Sequence, residues 1–126
     1  MTEISLRQQL RAALPAAMKS RDRAATAALR ATLAAIDNAE AVAPAAEAPG
    51  TSLAIEHIAV GVGATEVARR ALTEVEVEDI VRAEVVERET AADEYEQSGY
   101  ADRAEQLRNE ARALAAHLAD AGKGPQ

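Results

Sequence analysis

Lys19, Arg21, Arg23 and Arg30 are the residues of this chain whose types and spacing could do chemistry, and that chemistry is recognition of an anion. Arginine offers five N–H donors in a planar fork that matches phosphate or carboxylate, and lysine offers a compact positive charge. Lys19, Arg21 and Arg23 fall within a few residues of one another, and Arg30 stands two helical turns beyond Arg23, on the same face if the segment is helical. RNA phosphates are one complement to such a group. Solubilising charge is the plainer reading, because no aromatic platform accompanies it: Tyr95 and Tyr100 are the only aromatic residues and lie far along the chain.

Other chemistries have less to stand on. His57 and His117 are the only histidines. Acid–base work needs a positioned partner, and none is legible for either; His57 follows Glu56, a pairing common by chance, and His117 falls in the last turn of a helix, where a cation suits the helix dipole. Glu84 and Glu87 invite a di-metal reading, but that site needs Glu-x-x-His on two helices, and no Glu here has His three residues later. Gly61 and Gly63 form a lone Gly-x-Gly without the Gly-Lys-Ser/Thr of a phosphate loop or the third glycine of a dinucleotide site. There is no Gly-x-Ser-x-Gly elbow and no cysteine, so a serine hydrolase, a thiolate nucleophile and a cysteine zinc site all fall away. No residue is assigned a catalytic, cofactor-binding or metal-binding role, and the chain is read as non-enzymatic on its own.

Composition points the same way. The chain has 126 residues and a net charge of −7, suited to one domain. Residues 1–40 carry six basic and four acidic groups, whereas residues 73–126 carry six and fourteen. Nucleic acid would be repelled by the second half and tolerated only by the first. The apolar residues are Leu, Ile, Val and abundant Ala, the strongest helix former and small enough to let helices approach closely. With no signal-like or membrane-spanning apolar run, the expected location is the cytoplasm.

The elements that must position the cations follow from periodicity and capping. Ser5 with Gln8 forms a capping box, and Leu6, Leu10, Leu14 and Met18 recur every fourth residue, predicting a helix over about 6–19 with a kink or break at Pro15. Asp22 is a suitable N-cap for a second helix over about 22–40, with Ala25, Leu29, Thr32, Leu33 and Ile36 on one face. Pro44, Pro49, Gly50, Gly61 and Gly63 then punctuate a long linker over about 41–72, in which Ile58, Val60 and Val62 give a weak strand signal. Thr73 with Glu76 forms a second capping box, Leu72 is placed to staple onto Val77, and a third helix runs over about 73–98. Its inward face reads Val77, Ile80, Val81, Val85, Ala92 and Tyr95, with Glu78–Arg82 and Glu84–Arg88 spaced for ion pairs. Gly99 supplies a left-handed stop. A fourth helix spans about 101–118, with Ala104, Leu107, Ala111, Leu114 and Leu118 as a packing seam, before a tail AGKGPQ expected to fray. The expected architecture is all-α: a small bundle of two helical hairpins within a single domain.

The string KSRDRAATAALRATLAAIDNAE (19–40), then Leu72, Thr73, Glu76 and Val77, then Glu84 and Arg88, Tyr95, Gly99 and an alanine-leucine helix to Leu118, resembles the GatB/YqeY family over roughly 6–118. The resemblance implies a fold like the helical domain at the end of the GatB subunit of glutamine-dependent aspartyl/glutamyl-tRNA amidotransferase. In that enzyme, a carbon–nitrogen ligase with glutamine as amide donor, the catalytic and ATP sites lie elsewhere and the helical domain engages tRNA. Ala83, Val86 and Glu89 stand where many relatives are basic, and the chain stops at Gln126 without the family's C-terminal tail domain. The resemblance therefore implies a non-catalytic accessory module contacting tRNA or an amidotransferase subunit through Lys19, Arg21, Arg23 and Arg30. The alternative is a protein-interaction or self-associating module with no RNA role, its acidic surface and apolar seam recognising another helix.

Overall fold

A computed structural model describes residues 4–46 and 71–123. The chain is all-α: α1 (Leu6–Lys19), α2 (Arg23–Ala46), α3 (Glu74–Gln97) and α4 (Ala101–Lys123), with no strand among the described residues. The first hairpin is α1–α2 and the second α3–α4. No described helix is long and apolar enough to cross a membrane. The expected strand signal at Ile58–Val62, together with His57, Gly61 and Gly63, lies outside the described residues.

The helix starts are those the sequence encodes. Ser5 Oγ accepts the Gln8 N–H at 3.1 Å while Gln8 Oε1 accepts the Ser5 N–H at 3.1 Å. Thr73 and Glu76 make the same reciprocal pair at α3, and Asp22 Oδ1 accepts the Ala25 N–H at 3.0 Å to open α2. The ends differ more. α2 continues past Glu40 to Ala46, and α4 past Leu118 to Lys123, into residues expected to be linker and frayed tail. Alanine fills six of those eleven extra positions and favours continued helix, which runs through Pro44 in α2 and Gly122 in α4 despite the low helix propensity of both.

Two expectations for α1 are corrected. The helix is unbroken through Pro15, which sits exposed beside exposed Arg11, so that the carbonyl deprived of its donor can be hydrated. Met18 is 48 % exposed rather than part of the core. A strict four-residue repeat drifts about 40° per step around an α-helix, so the stripe that begins at buried Leu6 and Leu10 has rotated toward solvent by Met18, and Ala17 takes the inward place.

α3 and α4 share the most extensive interface, and α2 packs on both α1 and α4. The main core joins Leu6, Leu10, Ala17, Ala28, Leu29, Ile36, Val77, Val81, Val85, Ala111 and Leu114, with Leu72 and Leu118 packed against it. Alanine at 17, 28 and 111 lets the backbones approach where bulk would hold them apart. A carboxylate ties the hairpins together: Glu74 Oε2, in the first turn of α3, accepts the Leu6 N–H at 2.9 Å, one of the donors left open at the start of α1. Because α1 and α3 begin side by side, the turn of the first hairpin and the tip of the second lie at the same end of the bundle.

That tip projects. Ala92, Ala104 and Leu107, with Ala91, form a separate small cluster made by α3 and α4 alone. The α3–α4 arm over about residues 89–107 thus extends past the first hairpin, because α1 has 14 residues against 24 in α3. Tyr95, expected inward, is 39 % exposed for this reason: it continues the inward stripe of α3 into a stretch that α1 and α2 do not reach.

Thr32 is fully buried in α2, and its Oγ1 has no hydrogen-bond partner among the described residues. An unsatisfied buried hydroxyl carries a desolvation penalty that an isosteric apolar group avoids. Thr32→Val is therefore expected to raise the unfolding free energy by about 1 kcal/mol in urea titration.

Candidate functional site

The four cations lie where the first hairpin turns. α1 ends at Lys19, residues 20–22 make the turn, and Arg23 opens α2. The turn is closed by two backbone bonds, Asp22 N–H to the Ala17 carbonyl at 2.9 Å and Arg21 N–H to the Met18 carbonyl at 3.1 Å. This is the Schellman pairing, which requires a left-handed residue directly after the C-cap. That residue is Arg21, at φ 62°, the one non-glycine residue with positive φ among those described.

The second hairpin turns by the same device. Tyr100 N–H donates to the Tyr95 carbonyl at 2.8 Å and Gly99 N–H to the Glu96 carbonyl at 3.1 Å, with Gly99 left-handed at φ 89°. Glycine adopts this conformation without steric cost, whereas a side chain there costs roughly 1–2 kcal/mol. The first turn therefore holds an arginine where local stability favours glycine, and strain of this kind clusters at functional positions.

From that turn, Arg21, Arg23 and Arg30 converge on one surface depression of about 570 Å³, lined also by Met18, Thr26 and Ala27. Arg23, Thr26, Ala27 and Arg30 are one face of α2 by helical spacing. Arg30 Nη2 lies 3.7 Å from Met18 Sδ, so the methionine that drifts out of the core becomes part of the depression's wall. Lys19 is exposed at the end of α1 but does not line it. Three of the four expected residues are thus brought together, and Met18 is the member that periodicity assigned elsewhere.

What distinguishes these cations is that they lack carboxylate partners. On the second hairpin, Arg82 pairs with Asp79 at 3.2 Å, rather than with Glu78 as spacing suggested, and Arg88 pairs with Glu84 at 2.6 Å and Glu110 at 2.9 Å. Arg108 bridges Asp93 and Glu96 at 3.0 and 2.6 Å, Arg112 bonds Asn109, and Arg103 stacks over the Tyr95 ring at 5.7 Å. On the first hairpin, Arg7 alone is paired, with Asp37 and Glu40, both at 2.8 Å. Arg11, Lys19, Arg21, Arg23 and Arg30 make no ion pair with any described carboxylate, although the chain as a whole is acidic.

The paired arginines serve the fold. Hydrogen bonds that Arg7 donates to Glu40, then to Asp37, raise its pKa above its ordinary value and fasten α1 to α2. Burial works against the Arg88 charge, yet the bonds to Glu84 and Glu110 more than offset it, and the net pKa is raised. Glu110 is itself buried and reaches Arg88 across the α3–α4 interface. The sequence offered the Glu84–Arg88 spacing but no signal for Glu110, which is distant along the chain.

The remaining candidates stay apart. His117 is half-buried in α4, and Glu87 lies with Asp79, Arg82, Ala83 and Val86 on a shallow outer face of α3. Among the described residues, no three His, Asp or Glu side chains are grouped as a metal site requires. The arrangement at the first turn can hold an anion by charge and by bidentate donors. No family model, curated protein or solved structure matches the chain.

The strained turn gives a direct check. Arg21→Gly is expected to raise stability by about 1 kcal/mol, while Gly99→Ala at the equivalent turn lowers it by about the same amount, both read as shifts in urea midpoint.

Proposed function

We propose that this protein is a non-catalytic helical accessory module of the GatB/YqeY kind that engages tRNA through Arg21, Arg23 and Arg30, with Lys19 adding charge at the rim. The observation that carries the proposal is the sorting of the arginines. Among the five described arginines of the second hairpin, four pair with a carboxylate and Arg103 lies over the Tyr95 ring, whereas three converging on one depression of the first make no ion pair with a described carboxylate. Free arginines on an acidic chain favour an anion from outside, and a polyphosphate backbone gains further from counterion release. The left-handed Arg21 supports the same reading, because a charged side chain is retained where glycine would be more stable.

The ordered resemblance from the Lys19–Glu40 string to the alanine-leucine helix ending at Leu118 adds the tRNA-handling context. In this reading the chain supplies a docking surface to a tRNA or to an amidotransferase subunit, in the cytoplasm, and has no reacting group of its own. Contact runs through phosphates rather than bases, since neither tyrosine lines the depression.

Fluorescence anisotropy of labelled bulk tRNA, titrated at low and at moderate salt, tests this. Saturable binding that weakens steeply with salt is expected. The triple variant Arg21→Ala, Arg23→Ala, Arg30→Ala should flatten the log–log salt dependence by about 2 units, each lost phosphate contact removing roughly 0.7–0.9. An absence of binding at tens of micromolar protein in low salt would sink the proposal.

A further inference from the structure

Both aromatic residues of the chain, Tyr95 and Tyr100, sit at the tip of the projecting arm. Their rings meet edge to face, with centroids 6.1 Å apart and planes at 83°, and the Arg103 guanidinium lies over Tyr95. Tyr95 continues the α3 stripe that the first hairpin covers farther down, and at the tip it is covered only in part, by Tyr100 and Arg103 of its own arm. Tyr95 and Tyr100 are 39 % and 62 % exposed.

The tip is also negative in net effect. Arg108 is engaged by Asp93 and Glu96, and Arg103 by a ring, while Glu89, Glu94 and Asp102 are exposed and paired with no described cation. An exposed Tyr100 ring and a half-exposed Tyr95, rimmed by free carboxylates, call for a surface of free cations with apolar ground between them. Such a surface exists in the same chain: the depression of Arg21, Arg23 and Arg30 around Met18 and Ala27.

A molecule cannot satisfy itself in this way. Residues 89–99 are helical almost to the turn, and they carry the tip roughly 15 Å beyond the level of the first turn. The same axial offset bears on how an inverted copy can meet the first. When a second molecule faces the first in antiparallel orientation, each arm tip comes level with the other's arginine depression, and the contact is made twice.

We propose that two copies of this chain associate about a two-fold axis, each seating its Tyr95–Tyr100 tip in the Met18–Arg21–Arg23–Arg30 depression of the other. Such an interface is isologous and closes at the dimer. Tyrosine and arginine are the residues that dominate interface energetics, through ring burial, cation–π contact and charge-assisted bonds. The proposal does not rest on the RNA reading, although both use the same arginines; a bound RNA and a second copy would exclude each other.

Sedimentation equilibrium of the full chain without RNA tests the proposal. At low salt the wild-type protein should sediment at twice the chain mass and dissociate as salt rises. A variant with Arg21→Glu, Arg23→Glu and Arg30→Glu should be monomeric, as should one with Glu94→Arg and Asp102→Arg, each retaining its helical circular dichroism. Mixing the two variants should restore the dimer, since both tip-to-depression contacts then regain opposite charge. Tyr100→Ser should weaken the wild-type dimer at least tenfold. A monomeric wild-type protein at millimolar concentration, a dimer that persists in either charge-reversed variant, or two helical variants that fail to pair on mixing would each overturn it.

Discussion

Burial of one continuous apolar stripe, shared by α3 and α4, against a shorter hairpin is the constraint on which the rest of the structure depends. Val77, Val81 and Val85 of α3 and Ala111 and Leu114 of α4 meet Leu6, Leu10, Leu29 and Ile36 in a single cluster. The stripe then runs on to Ala92, Ala104 and Leu107, where the second hairpin must pack on itself. Those are small or lone apolar residues, and two helices can close over them without a third layer. The mismatch in helix length thus produces both a shared core and an arm, and it exposes the two tyrosines at the arm's end.

Charge follows this geometry. Within the second hairpin, carboxylates are dense enough that four of the five described arginines pair with at least one, and the Glu84–Arg88–Glu110 group is nearly withdrawn from water. Breaking one member of such a group leaves a buried charge without its partner, so these residues belong to the fold rather than to a site. The first hairpin has few carboxylates, and Asp37 and Glu40 are both engaged by Arg7 at the opposite end from the turn. The cations at the turn are left for solvent or for a ligand.

The two turns show how the same backbone device is used with different residues. Each ends a helix with a C-cap serine, Ser20 or Ser98, followed by a left-handed residue. Gly99 fits that conformation freely, and with no heavy atom within 4 Å of a hypothetical Cβ its requirement is one of backbone and not of space. Arg21 fits it at a cost, and its side chain reaches the depression that Arg23 and Arg30 also line.

The all-α class, the four helices and their starts were determined by sequence alone, because capping boxes and apolar periodicity are local signals that act within a few residues. Ser5–Gln8, Thr73–Glu76, Asp22 and Gly99 all perform the roles that their types and spacing dictate. Periodicity failed where a linear repeat was followed too far, as at Met18, or where coverage by another element mattered, as at Tyr95. Which arginines are free was decided only by tertiary structure. Glu110 reaches Arg88 from 22 residues away, and Glu40 reaches Arg7 from 33. Such pairings depend on how helices are set against one another in space, and charge sequence along a single helix carries no record of that.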